Sequence, residues 1–218
     1  MKSAIRVVAT VFGLIVALAG IEHGIGEILQ GNTRPSSLVF ESWPGSPFFE
    51  ILSGEPAMSL IPNLLISGVL TVIFSLALLV WSILAMRTKS AAIGLILFSI
   101  ILLLVGGGLG PPLMLLIVGL AATRIGRPFR WWRSQAPDSR VPLFARLWRP
   151  AVFAGVVGYL ALLPGVPIAE QLVGPLDAGI VVAVIAFSFG SFFLSIIAAL
   201  AFDSYIIGKD PRQIAISQ

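Results

Sequence analysis

Uninterrupted apolar runs, not alternation, organise this chain. Residues 64–86 and 178–202 contain no charged residue. Each is longer than the roughly 20 residues that a helix needs to cross about 30 Å of hydrocarbon. Residues 7–21 and about 151–169 form two further uncharged runs. None alternates at period two, so the pattern predicts membrane-spanning helices and excludes a transmembrane β-barrel. The first twenty residues also have the basic start, apolar centre and Ala17-Leu18-Ala19 site of a signal peptide. We read them as a retained first helix.

Residues 91–123 allow two readings, one long tilted helix or a hairpin of two short ones. Gly106-Gly107-Gly108-Leu109-Gly110-Pro111-Pro112 supplies a turn, because glycine relaxes the backbone while proline removes donors and disfavours helix before it. The arms, 91–105 and 112–123, are each shorter than an ordinary span. The turn is then expected within the membrane depth, where non-helical backbone must be buried in protein or line a wet cavity.

Charge selects between the two. Every basic residue except Arg34 falls in one of four clusters. These are Lys2 with Arg6; Arg87 with Lys89; Arg124, Arg127, Arg130, Arg133, Arg140, Arg146 and Arg149; and Lys209 with Arg212. They share one side, the cytoplasmic one, only if the chain crosses an even number of times between clusters. This predicts an all-α, polytopic transmembrane helical bundle of about six spans, including the short-armed hairpin at 91–123, with both termini cytoplasmic. Five spans, with 91–123 as one helix, would put the C-terminus outside. The chain reads as a single integral membrane domain, residues 1–218, of a bacterial or archaeal plasma membrane. It lacks the evident internal repeat of an inverted-repeat transporter.

Composition narrows the chemistry. Only 11% of residues are charged, against about 25% in a soluble domain. The absence of cysteine removes disulfides, thiolate metal sites and cysteine nucleophiles. A single histidine leaves no conventional zinc or haem pair, and no HExxH, Walker A or GxSxG sequence occurs. No cofactor is expected, and an enzyme is the less favoured class. The arginine excess reports orientation and not nucleic acid. In the cytoplasmic loop, residues 124–150, arginine alternates with Phe129, Trp131, Trp132, Phe144 and Trp148. The partner expected there is a bilayer with anionic headgroups. Membrane-protein partners or a homo-oligomer are the further partners the sequence allows.

The outer loop, residues 31–62, carries Phe40, Trp43, Phe48, Phe49 and Ile51. Its prolines break any long helix. A short interfacial or re-entrant piece over the outer mouth of the bundle is expected. Asn63 reads as the start of the next helix. In that helix Ser67, Thr71 and Ser75 recur every four residues as a polar stripe suited to hydrogen bonds between helices. Asp203 is expected at the inner interface near Lys209.

Candidate chemistry concentrates in Ala19-Gly20-Ile21-Glu22-His23-Gly24-Ile25-Gly26-Glu27. Twenty helical residues from Arg6 end near residue 26, which leaves Glu22 and His23 in the outer part of the membrane and Glu27 at its edge. His23 and Glu27, four apart, share a helical face, while Glu22 is expected to project elsewhere. The pair could hydrogen-bond, share a proton or supply two metal ligands. An ionisable residue at this depth normally faces the bundle interior and marks an ion or proton path. Alternatively, helix 1 is displaced outward and the three groups are hydrated or paired structurally. Glu41, Glu50, Glu55, Glu170 and Asp177 also fall outside, against Arg34 alone, and one sign of charge at a mouth concentrates the opposite ion.

The expected function is a small multi-pass transporter or channel-like protein for a proton, cation or small polar solute. Glu22, His23 and Glu27 form its ion site, with the 106–112 break opposite. The alternatives are a non-catalytic subunit or assembly factor of a membrane complex, and a lipid-modifying membrane enzyme.

Overall fold

The computed structural model describes residues 3–127 and 143–207. Among the described residues, eight α-helices and one small hairpin of strands make it all-α in class. The helices are α1 (Ala4–Leu29), α2 (Leu64–Leu84), α3 (Ala91–Val105), α4 (Gly110–Ala122), α5 (Leu143–Arg146), α6 (Trp148–Leu160), α7 (Val166–Val173) and α8 (Ala178–Ile207); the strands are β1 (Val39–Glu41) and β2 (Pro56–Met58). Four stretches, Ala4–Leu29, Leu64–Arg87, Trp148–Val173 and Ala178–Ile206, are long and apolar enough to cross a membrane. α3 and α4 are apolar but shorter, with 15 and 13 residues, or about 20 Å each at 1.5 Å per residue.

α2 shows which solvent the chain is built for. Its buried positions are Leu64, Ser67, Gly68, Thr71, Ser75, Leu78 and Ser82, a stripe at the helical period made mostly of small and polar residues. Its exposed positions include Leu65, Ile66, Val69, Ile73, Leu76, Val80 and Ile83. A helix in water would present the reverse pattern. In lipid, exposed leucine costs nothing and small residues let backbones approach. The chain is an integral membrane protein.

The chain forms two compact units, one of Thr10–Leu120 and one that joins the first residues, to Ala9, with Ala121 onward. In the first unit α1 runs antiparallel to α2 along a seam of small residues. A Cβ on Gly13 would strike Ser82, one on Gly20 would strike Ser75, and Gly24 and Gly68 meet backbone to backbone. Asn63 starts α2 as expected, its side chain accepting from the Ile66 N–H at 3.0 Å. Residues 91–122 form the hairpin of two antiparallel helices. Ser99 donates to the Pro112 carbonyl at 2.7 Å, and Gly119 packs against Leu95 and Ile96. The turn itself is 106–109. Pro111 and Pro112 lie in the first turn of α4, where a missing N–H has no intrahelical partner to lose.

The 31–62 loop, expected as a short interfacial or re-entrant piece, folds as a β-hairpin cap. β1 pairs antiparallel with β2, Phe40 opposite Ala57, and Phe40, Ala57 and Leu64 close a small apolar cluster beneath it.

In the second unit α6 passes into α7 through Ala161–Gly165, where Leu163 leaves helical geometry beside Pro164. The connector after residue 163 therefore contains a helix, and only 174–177 turn before α8. Lys209, expected near Asp203, lies outside the described residues, and Asp203 stands at the start of α1. Buried, it accepts from the Ala4 N–H at 2.6 Å, the Ile5 N–H at 3.1 Å and the Ser3 hydroxyl. It thus neutralises the unpaired N–H groups that begin α1. Most of the arginine-tryptophan loop, including Phe129, Arg130, Trp131, Trp132, Arg133 and Arg140, also lies outside the described residues. Trp148 is buried, 5.8 Å from the Phe202 ring, with the Arg149 guanidinium 5.3 Å from its own ring.

Gly68→Leu should separate α1 from α2 and cost about 1–3 kcal/mol, the usual range for overpacking. Gly190→Ala in α8, where an added Cβ meets nothing within 4 Å, should leave stability unchanged or raised. Thermal unfolding in detergent compares the two.

Candidate functional site

Three pieces of unit Thr10–Leu120 meet at the C-terminal end of α1: the helix itself, the β-hairpin cap and the glycine turn. Hydrogen bonds to backbone carbonyls hold them together. Gln30 at the end of α1 donates from Nε2 to the carbonyls of Glu41 and Ser42 in the cap, at 3.1 and 3.0 Å. Leu60 N–H donates to Leu104 O at 2.9 Å, and Leu109 N–H to Pro56 O at 3.1 Å, which joins the far side of the cap to the turn. Gly26 permits this fit, since a Cβ there would strike Ser42 O and the Trp43 ring.

His23 stands at the centre, 3% exposed. Its Nδ1 lies 3.1 Å from Ala19 O and 2.8 Å from Glu22 Oε2; its Nε2 lies 3.3 Å from Glu55 Oε2. Glu22 does not project elsewhere. Its side chain folds back over the neighbouring histidine, and its other oxygen, Oε1, accepts from the Trp43 indole N–H. Glu55, from the cap, is buried and close enough to Glu22 for the two carboxyls to share a hydrogen bond. Burial pushes the Glu55 carboxyl up to about 8; His23 acts against the rise, and the Glu22 charge adds to it.

Glu55 reaches this position through an uncommon backbone. Ser53, Gly54 and Glu55 all have positive φ, 53°, 64° and 54°, which turns the Glu55 side chain inward just before β2. Left-handed geometry at a non-glycine residue costs about 1–3 kcal/mol. The cap keeps it through two bonds to this bend, Ser42 N–H to Glu55 O at 3.0 Å and Trp43 N–H to Gly54 O at 2.9 Å.

Glu27 lies one turn further along α1 and is fully buried. No donor bonds to either of its carboxylate oxygens. Beside it stands Ser67, whose hydroxyl is 2.6 Å from Val105 O and 2.8 Å from Ser59 Oγ. Thr71 donates to the same carbonyl at 2.6 Å. Two members of the α2 polar stripe, Ser67 and Thr71, therefore bond between helices, while Ser75 packs against Gly20 with no hydrogen-bond partner.

The glycine turn faces both ionisable residues of this face. An added Cβ on Gly106 would overlap the Glu27 carboxylate, and one on Gly108 would lie against His23 Nε2; both have positive φ, 111° and 83°. Gly107 instead faces Leu102, and Gly110 faces open space.

The structure thus brings Glu22, His23 and Glu27 to one end of α1, next to the 106–109 break. Glu55, His23 and Glu22 form a group of three side chains whose ligand-type atoms all lie within 4.8 Å of one another. Glu27 stands next to that trio and outside it. Sequence reasoning missed Glu55 and Trp43 as members. Glu55 carried one usable signal, as an acid in the apolar-rich outer loop. Glu170 and Asp177, counted with the outer acids, instead bond to the backbone N–H groups of Leu176 and Gly179.

Gly106→Ala and Gly108→Ala should each lower folded yield or melting temperature sharply, because strain and overlap act together there. Gly110→Ala should be tolerated, and parallel purifications in detergent would show the contrast. No protein family matches the chain, and no curated protein or solved structure matches it.

Proposed function

We propose that the protein is a small multi-pass membrane protein that passes a proton or small cation, and that Glu22, His23, Glu55 and Glu27 line the way. In this reading the chain crosses six times with both termini cytoplasmic, α3 and α4 serving as the short pair. The site then opens on the outer side beneath the β-hairpin cap. Sorting of the basic residues supports that orientation.

The observation that carries the reading is Glu27. A fully buried carboxylate whose one hydroxyl neighbour, Ser67, already donates to Val105 O is costly anywhere. Inside a membrane such groups are rare and mark ion or proton pathways. Its helix is also the most enclosed of the four long ones, with 61% of its apolar window buried against 28% for each of the others. Glu22, with about a third of its side chain exposed, supplies the entry. From there His23 and Glu27 succeed one another along a single helix face, so an ion or proton moving inward meets a carboxylate, an imidazole and a second carboxylate.

Reconstituted in proteoliposomes, the wild-type protein should pass protons or cations, and Glu22→Gln and Glu27→Gln should each reduce the flux at least tenfold without loss of expression. Glu41→Gln, an exposed position on β1, should leave it unchanged. Flux that survives both substitutions would sink the reading.

A further inference from the structure

The geometry points to a divalent transition-metal ion, of the Zn²⁺ class, as the cation held by Glu22, His23 and Glu55. This deepens the cation reading above and rests on it.

The donor set comes first. One imidazole and two carboxylates suit borderline ions such as Zn²⁺, Mn²⁺ and Fe²⁺, whereas Na⁺, K⁺, Mg²⁺ and Ca²⁺ prefer oxygen alone. The histidine is oriented as a ligand. Its Nδ1 faces Glu22 Oε2 at 2.8 Å and the Ala19 carbonyl at 3.1 Å, and a ring N–H given to a carboxylate or backbone carbonyl is the bond that metal-ligating histidines almost always make. That leaves Nε2 as the metal-facing atom. Glu55 Oε2 lies 3.3 Å from it, and tetrahedral bonds of about 2.0–2.1 Å set ligand atoms roughly 3.4 Å apart. Gly108 clears the space beside Nε2, where any Cβ would intrude.

Charge is the second, independent argument. Glu55 Oε2, on a residue 4% exposed, accepts no hydrogen bond. Neither does either oxygen of Glu27, which abuts the same glycine turn. Among the described residues, His23 is the one basic side chain in ion-pair range of any of the three glutamates. Three carboxylates facing one imidazole leave an excess negative charge that a divalent ion would neutralise. Two of them, Glu22 and Glu55, meet carboxyl to carboxyl, which like charges tolerate only with a proton or cation between them. Trp43, bonded to Glu22 Oε1, holds that carboxyl in place from outside.

The test uses the purified full-length protein in detergent, stripped with chelator and then offered Zn²⁺ or Co²⁺. One ion per chain should bind at micromolar concentration or below. X-ray absorption of the zinc form should show a single imidazole with oxygen ligands. His23→Ala and Glu55→Gln should weaken binding at least tenfold, and Glu41→Gln should not. The absorption measurement needs only the wild-type protein, so a misfolded variant cannot decide the matter. Zinc bound without imidazole, or no zinc bound while proton flux persists, would overturn the metal assignment and leave the proton path. Absence of both zinc binding and flux would overturn both.

Discussion

Removing charge from water without balancing it is the constraint around which one end of this protein is organised. Glu27 and Glu55 are buried acids, and a single imidazole serves both them and Glu22. Isolated carboxylates in low dielectric are costly enough that proteins either pair them or neutralise them. Much of the local structure follows from keeping these groups together. The cap folds over them, its bend holds Glu55 in left-handed geometry, and the glycine turn stays free of side chains where they project. An arrangement that merely glued helices would gain as much from the serine and threonine bonds to Val105 O, without the cost of the acids.

Small residues make that crowding sterically feasible. Gly13, Gly20 and Gly24 on α1 match Ser82, Ser75 and Gly68 on α2, so the two backbones approach closely and α1 becomes enclosed. Lipid supplies no hydrophobic drive between helices, and contact of this kind, together with hydrogen bonds between helices, takes its place. The same seam leads the α2 hydroxyls toward Val105 and Glu27, linking the packing of the span to the chemistry at its end. Asp203 performs an analogous electrostatic role at the start of α1, where its carboxylate meets free N–H groups.

What the sequence revealed and what it hid have physical reasons. Apolar runs gave α2 and α8 closely, and the residues of the 91–122 hairpin could be read from consecutive glycines and prolines, because both signals are local. The α2 polar stripe was legible for the same reason. Glu55 and Trp43 were not, since their positions depend on a strand pairing across sixteen residues and on three left-handed residues that carry no periodic signal. Glu22 was misplaced by treating helical side chains as radial spokes, whereas a flexible glutamate folds over its neighbour. The partners of Asp203 were not legible because they, the first N–H groups of α1, lie at the other end of the chain.

The absence of cysteine makes the central claim directly measurable. A lone cysteine at position 22, in a chain otherwise without thiols, can be reacted in vesicles with membrane-impermeant thiol reagents of equal size and opposite charge. If this end of α1 is a cation-accessible site with Glu27 and Glu55 behind it, the positively charged reagent should react at least tenfold faster, from one side only, and high salt should narrow the difference. Equal rates for the two reagents, or no reaction from either side, would contradict the account.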